Sequence, residues 1–226
     1  MSISGERRSG VESGAMDGLP TMVILAGGSS SRMGRDKAAL RVGGMTILER
    51  MARTALAVSP EVVVVGRERP GDWPGELGVR FLRDDDMGGS AAGGRGEGSG
   101  GPVVGLVTAV RHVEGRVLVL ACDLPLMTSG LLRDLAAAHR EGNLATMAET
   151  GRGAEPLCAV YEPGLLPVLE GMVREQRRAL YPLAALPGVG KFRVPGEREW
   201  ELLNVNTVED LAEAERIVEQ QGRRQQ

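Results

Sequence analysis

The sequence predicts a single three-layer α/β domain, a mainly parallel central sheet with helices packed on both faces. Three observations carry that expectation. Short, unbroken runs of aliphatic and β-branched residues recur along the chain, segments with helical spacing separate them, and 226 residues are enough to enclose one full core. Apolar runs without polar alternation suit strands buried on both faces, which is the environment of a parallel sheet. Right-handed crossovers then bring the strand carboxyl ends, and the loops after them, to one edge where a ligand binds.

In order along the chain, Met22–Ala26 reads as the first strand. Thr46-Ile47-Leu48-Glu49 is a capping box, because a threonine hydroxyl three residues before a Glu satisfies free N–H groups of a first turn; the helix it opens runs to about Val58. Glu61–Val65 and Val79–Leu82 are the next strands, Pro102 to His112 is helical, and Val117–Ala121 is a strand of continuous apolar residues. Thr128 caps a helix to about Arg140. Leu144–Met147 and Leu157–Tyr161 are shorter strands, and Gly164–Arg178 has helical spacing. Thr207, with Asp210 three residues later, opens a last helix that ends near Gln221. This alternation is Rossmann-like. The domain is expected over 21–221, with residues 1–20 a disordered tail and 222–226 a second frayed end.

Between Gly88 and Gly101 eight of fourteen residues are glycine, a composition unable to bury surface, so 88–101 is expected to be a mobile loop. A tolerated insertion and a substrate-covering flap both fit it; composition gives no contacts and favours the former. His112 and His139 fall in the expected helices and read as surface or packing residues.

A net charge of −3 argues against nucleic acid as a partner and requires any anion site to be built locally. Cys122 and Cys158 are the only cysteines, and both lie in apolar runs, so they read as buried residues rather than a disulfide or a metal cluster. The first twenty residues lack the apolar stretch of a signal peptide, and no run approaches membrane-spanning length. A soluble, cytoplasmic protein without a membrane partner is the expectation.

The most informative stretch follows the first strand: Leu25-Ala26-Gly27-Gly28-Ser29-Ser30-Ser31-Arg32-Met33-Gly34-Arg35-Asp36-Lys37. A loop of small residues brings backbone N–H groups close to phosphate oxygens, and the cations at its end neutralise charge. It is neither the Walker-type loop, which needs Gly-Lys-Ser/Thr, nor the dinucleotide fingerprint. By itself such a loop could equally be a connection; the Arg-x-x-x-Asp-Lys tail sharpens it. The chain has 25 Arg but only two Lys, Lys37 and Lys191, so a retained Lys37 fits a phosphate site that needs a compact charge where a planar guanidinium would not fit, with chance survival as the alternative.

Three further signals follow, the first two on the same edge. Cys122-Asp123-Leu124-Pro125 follows a buried strand, so Asp123 can hold Mg²⁺ while phosphates supply other ligands; a turn or cap residue is the alternative. Asp84 is the first of Asp84-Asp85-Asp86 after a strand, and three carboxylates in a row are otherwise a solvated loop. In extended geometry Asn204 and Asn206 share a face, although Asn206 could simply begin the turn before Thr207.

These elements in this order resemble the molybdenum cofactor guanylyltransferase family, with its Leu-Ala-Gly-Gly-x-x-x-Arg-Met-Gly-x-Asp-Lys, Gly-Pro-Leu-x-Gly, Cys-Asp-x-Pro and Asn-x-Asn-Thr motifs. Here they stand at Leu25–Lys37, Gly101–Gly105, Cys122–Pro125 and Asn204–Thr207, and Glu155-Pro156-Leu157-Cys158-Ala159-Val160-Tyr161 is similar to the family's Pro-Leu-x-Ala-x-Tyr. The resemblance implies a Rossmann-like domain of the nucleotidyltransferase type that transfers GMP from GTP to molybdopterin and releases pyrophosphate, with Mg²⁺ as cofactor. It implies that Leu25, Ala26, Gly27 and Gly28 line the nucleotide with Asp84, that Arg32 and Lys37 hold the triphosphate, and that Asp123 binds the metal. Gly101, Gly105, Asn204 and Asn206 would lie on the pterin side. GTP and molybdopterin are the implied small-molecule partners; other cofactor-biosynthesis proteins and acceptor molybdoenzymes are further candidates.

The chain departs from the pattern at Val103, where the family has Leu, and at Val65 or Gly66, where it can have Asn. The nearest rival is CTP-dependent cytidylyl transfer to the same pterin, whose enzymes read Leu-Ala-Ala-Gly; Gly27 favours guanine if a Cβ there crowds the larger base. Sugar-phosphate and isoprenoid-precursor nucleotidyltransferases share a looser glycine loop. A non-catalytic nucleotide- or cofactor-binding module remains the alternative from another class, because fold alone never proves activity.

Overall fold

The computed structural model describes residues 18–27, 36–84 and 101–224. Its chain order is β1 (Thr21–Leu25), β2 (Arg41–Val42), β3 (Met45–Thr46), α1 (Ile47–Leu56), β4 (Val62–Val65), β5 (Val79–Leu82), α2 (Gly101–His112), β6 (Val117–Ala121), α3 (Ser129–Ala138), β7 (Ala145–Thr150), β8 (Gly153–Tyr161), α4 (Leu166–Arg174), β9 (Val189–Arg193) and α5 (Val208–Arg224). Seven strands form one sheet in the order β5-β4-β1-β6-β8-β7-β9, and β2 pairs with β3 in a separate hairpin. Neighbouring strands are parallel except where β8 meets β6 and β7.

Strand alternation builds two cores. Met22, Ile24, Val62, Val64, Leu118 and Leu120 point to one face, where Ile47 and Met51 of α1, Leu131 and Leu135 of α3, and Ala214 of α5 cover them. Val23, Leu25, Val63, Val65, Val117 and Val119 point to the other, against α2 and α4 through Leu106, Val107, Leu169 and Met172. Strands apolar on both faces are therefore the middle layer of three, as their unbroken runs require.

Local signals place the helix starts. Thr46 Oγ1 accepts from Glu49 N–H (3.1 Å), Thr128 Oγ1 from Leu131 N–H (3.2 Å), and Thr207 Oγ1 from Asp210 N–H (3.1 Å). The Asp210 carboxylate returns the favour to Thr207 N–H at 2.8 Å, closing a capping box. His112 ends α2 exposed, whereas His139, just after α3, packs between Thr146 Oγ1 (2.9 Å) and Glu162 Oε1 (3.0 Å). Among the described residues no helix is long and apolar enough to cross a membrane.

Three features go beyond the sequence-based expectation. β9 is an edge strand, and two of its residues, Lys191 and Arg193, reach Glu149, so its polar sequence does not read as a strand. The segment from Gly164 is a short 3-10 turn followed by α4, which stops at Arg174. β7 and β8 form an antiparallel hairpin whose register shifts between Met147 and Ala148, from Met147 opposite Ala159 to Ala148 opposite Glu155. Pro156 sits in that irregularity, where its missing N–H costs no ladder bond. The fully buried Tyr161 spans it, donating its hydroxyl to the Pro156 carbonyl at 2.7 Å. Tyr161→Phe should leave that buried carbonyl unpaired and lower unfolding free energy by about 1–2 kcal/mol in urea titrations.

Candidate active site

Strand order reverses beside β1: β4 and β5 are laid down on one flank, and the chain then crosses to β6 on the other. Ligands bind at such a switch point, outside the strand carboxyl ends. The four ends are level, since Leu25 pairs with both Val65 and Ala121, and Val65 with Leu82. Hydrogen bonds carry the ladder one step further: Ala26 N–H donates to Val65 O (2.8 Å), Gly66 N–H to Leu82 O (2.9 Å) and Cys122 N–H to Leu25 O (3.1 Å). A cavity of about 230 Å³ opens there, lined among others by Leu25, Gly27, Lys37, Asp84, Gly105 and Asp123.

Glycines pack around one carboxylate in this rim. A Cβ on Gly27 would lie 3.1 Å from Asp84 Oδ2 and 3.1 Å from Gly66 Cα; one on Gly105 would lie 3.5 Å from Asp84 Oδ1. Gly66 has φ +94°, and a Cβ there would stand 2.6 Å from the Gly27 backbone. No side chain fits at 66 without moving Gly27, which explains why an Asn is not accommodated there. The structure thus supplies a different reason for glycine at 27 from room for a purine: its missing Cβ spares Asp84 and Gly66.

Opposite Asp84 stand the charged groups. The Asp36 carboxylate accepts from Ala38 N–H (3.0 Å), capping the 3-10 turn Lys37–Ala39. Lys37 Nζ donates to Asn206 Oδ1 (2.5 Å) and lies 3.7 Å from Asp123 Oδ2. Backbone pairing brings these segments together, because Val205 N–H donates to the Asp123 carbonyl at 2.9 Å. Asn206 also begins the helix cap, its N–H reaching Asp210 (2.9 Å), so both sequence readings of this residue hold. Asn204 is half-buried on the same segment and, like Asn206, lies outside the cavity lining, whereas Gly101 belongs to it. Gly28, Arg32 and most of the 88–101 stretch lie outside the described residues.

Asp123 is held from behind. Arg50 of α1, which the sequence reading did not single out, donates from Nε to the Pro125 carbonyl (2.7 Å), fixing the loop that carries the carboxylate. Burial raises the Asp123 pKa, and nearby Lys37 opposes the rise. Its Oδ1 is buried without a hydrogen-bond partner among the described residues, a hard oxygen able to take a divalent cation. No group of three metal-ligating side chains gathers among the described residues, but magnesium needs only one or two carboxylates when phosphates and water complete its shell. The neighbouring Cys122 thiol is pushed up to about 12 by burial and by the Asp123 and Asp36 charges, which disfavours its thiolate. Leu157, placed beside the β8 irregularity, lines the cavity as well. Its sequence signal is its place in Glu155–Tyr161, the stretch similar to the family's Pro-Leu-x-Ala-x-Tyr.

The MobA-like NTP transferase domain matches residues 22–186. The chain belongs to that family. Relatives named probable molybdenum cofactor guanylyltransferase occur in Carboxydothermus hydrogenoformans, 32% identical over 84% of this chain and 92% of theirs, and in Aquifex aeolicus, 30% identical over 88% and 91%. The crystal structure of molybdopterin-guanine dinucleotide biosynthesis protein A from Archaeoglobus fulgidus superposes with a TM-score of 0.71 at 24% identity, covering 88% of this chain and 99% of that one. A cytidylyltransferase from Leptospira borgpetersenii shares the fold, with a TM-score of 0.63 at 19% identity over 87% of this chain and 85% of that one. Fold and relatives together make the MobA-like domain a nucleotidyltransferase.

Two outcomes follow from this geometry. Gly27→Ala should displace Asp84 or Gly66 and weaken every nucleotide the site binds, seen as equal losses for GTP and CTP by calorimetry; a loss confined to GTP would restore the base-crowding explanation. Asp123→Asn should raise the melting temperature of metal-free protein near neutral pH. Because its folded-state pKa lies above the unfolded value, the folded protein binds the extra proton between the two, and stability falls as pH rises through that window. The gain from the amide is then largest above the raised pKa and vanishes below the ordinary carboxylate range, which melts at several pH values will read.

Proposed function

We propose that this domain transfers GMP from GTP to molybdenum-bound molybdopterin, forming the guanine dinucleotide cofactor and pyrophosphate in a magnesium-dependent reaction. The convergence of Lys37 and Asp123 on a glycine-lined rim at the switch point, with Asn206 bonded to Lys37, carries the reading, supported by the names of the relatives. The acceptor is a phosphate monoester whose oxygens are already anionic, so no strong general base is needed. One of those oxygens attacks the α-phosphorus of the nucleotide, the bond to the β-phosphate oxygen breaks, and pyrophosphate leaves with the electron pair. Catalysis then rests on alignment and on stabilising the charge that develops.

Leu25, Ala26 and Gly27 would present backbone groups to the base and ribose, with Asp84 fixed beside them. Lys37 would leave its contacts with Asn206 and Asp123 to meet the phosphates, its short ammonium fitting where a guanidinium would not. Asp123 would hold Mg²⁺, which when bound supplies charge neutralisation at the α-phosphate. Asn204 and Asn206, with Gly101 and Gly105, would face the pterin, and Arg32 would join Lys37 on the triphosphate.

Purified protein with molybdate-loaded molybdopterin and Mg²⁺ should release pyrophosphate and form dinucleotide with GTP and not with CTP. Lys37→Ala in the same assay, which removes the donor, should lower kcat by about 10²–10³-fold, and Lys37→Arg should also lower it because a planar guanidinium does not reproduce the compact ammonium. A CTP preference would keep the phosphate chemistry and overturn the base assignment. Binding without turnover for either nucleotide would favour the non-catalytic module.

A further inference from the structure

Lys37 reaches the site from a single 3-10 turn of three residues, and that turn has one side-chain cap, Asp36. The cap is itself held. Arg67, two residues past the end of β4, places Nη2 2.9 Å from Asp36 Oδ2 and Nη1 3.3 Å from Asp36 Oδ1. Nη1 donates a hydrogen bond to Oδ1 while Nη2 lies in ion-pair contact with Oδ2, so the guanidinium meets both carboxylate oxygens and restrains their orientation. The orientation matters because the Oδ1 that receives Nη1 also accepts Ala38 N–H at 3.0 Å.

The neighbour of Arg67 makes a second contact at the rim. Gly66 packs its backbone against Gly27, so residues 66 and 67 touch both Gly27, just past the end of β1, and Asp36, the cap of the Lys37 turn. The ion pair is half open to solvent, with side-chain exposures of 22% for Arg67 and 51% for Asp36. Exposed pairs of that kind contribute little to stability, so fold maintenance does not account for a clamp aimed at the turn that carries the key lysine.

We infer that Arg67 is a positioning residue for the transfer reaction: by orienting the Asp36 cap it holds the Lys37 turn where the lysine ammonium meets the nucleotide phosphates. The inference rests on the reading that Lys37 holds the triphosphate. Guanidinium planarity is the operative property, so charge alone does not replace it.

The test is a double-mutant cycle on kcat, with melting temperature as the fold control: Arg67→Ala, Arg67→Lys, Asp36→Ala, and Arg67→Ala combined with Asp36→Ala. Arg67→Ala and Arg67→Lys should each lower kcat by about 10- to 100-fold, with a smaller change in KM for GTP and an unchanged melting temperature. In the Asp36→Ala background, Arg67→Ala should cost less than twofold more, since the path through Asp36 is already cut. Multiplicative losses in the double variant, or full activity of Arg67→Lys, would overturn the inference. If the wild-type protein transfers nothing from GTP, the proposed function fails instead. The same cycle is then read in Mg²⁺–triphosphate affinity by calorimetry, where coupled losses support the clamp and independent losses refute it.

Discussion

Leu25 ends its strand hydrogen-bonded into two neighbours at once, level with Val65 on one side and Ala121 on the other, and everything functional hangs from that level edge. A slip of one residue in either parallel ladder would exchange Met22 and Ile24 with Val23 and Leu25 between two cores packed for different side chains, and that repacking opposes the slip. The loops leaving β1, β4, β5 and β6 have no choice but to meet. Gly27, Gly66, Asp84 and Asp123 come from those four loops and converge because four strands stop at one height.

Convergence of backbones creates a steric demand before it creates chemistry. Gly27 and Gly66 cross so closely that neither tolerates a side chain without displacement, and Asp84 occupies the space the missing side chains leave. The opposite wall is electrostatic. Asp123 is buried enough that its charge is disfavoured, and the fold supplies Lys37 as partial compensation. A carboxylate held at an energetic disadvantage, with one oxygen lacking a protein partner among the described residues, is suited to a bound cation.

Much of this was legible in the sequence, for identifiable reasons. Strands buried on both faces announce themselves as unbroken apolar runs, and Val79–Leu82 and Val117–Ala121 begin and end where their runs do. Threonines at 46, 128 and 207 are seen as helix starts because capping is local chemistry, one hydroxyl and one N–H three residues apart. Lys37 and Asp123 stood out through rarity and through position after a strand. Arg50 and Arg67 did not, being two among 25 arginines, and only spatial neighbours distinguish them. The β9 edge strand and the β8 irregularity escaped for a related reason. Their pairing partners, not their composition, make them strands.

The sequence by itself therefore determined the layering, the strand and helix order through most of the chain, and the residues carrying charge at the ligand edge, because burial, capping and loop chemistry act over a few neighbouring positions. Only the tertiary structure decided that Lys37 would share its ammonium between Asn206 and Asp123, and that Gly66 and Arg67 would grip both Gly27 and Asp36. Those contacts join segments dozens to well over a hundred residues apart, and their energies depend on distances and orientations that no local pattern encodes.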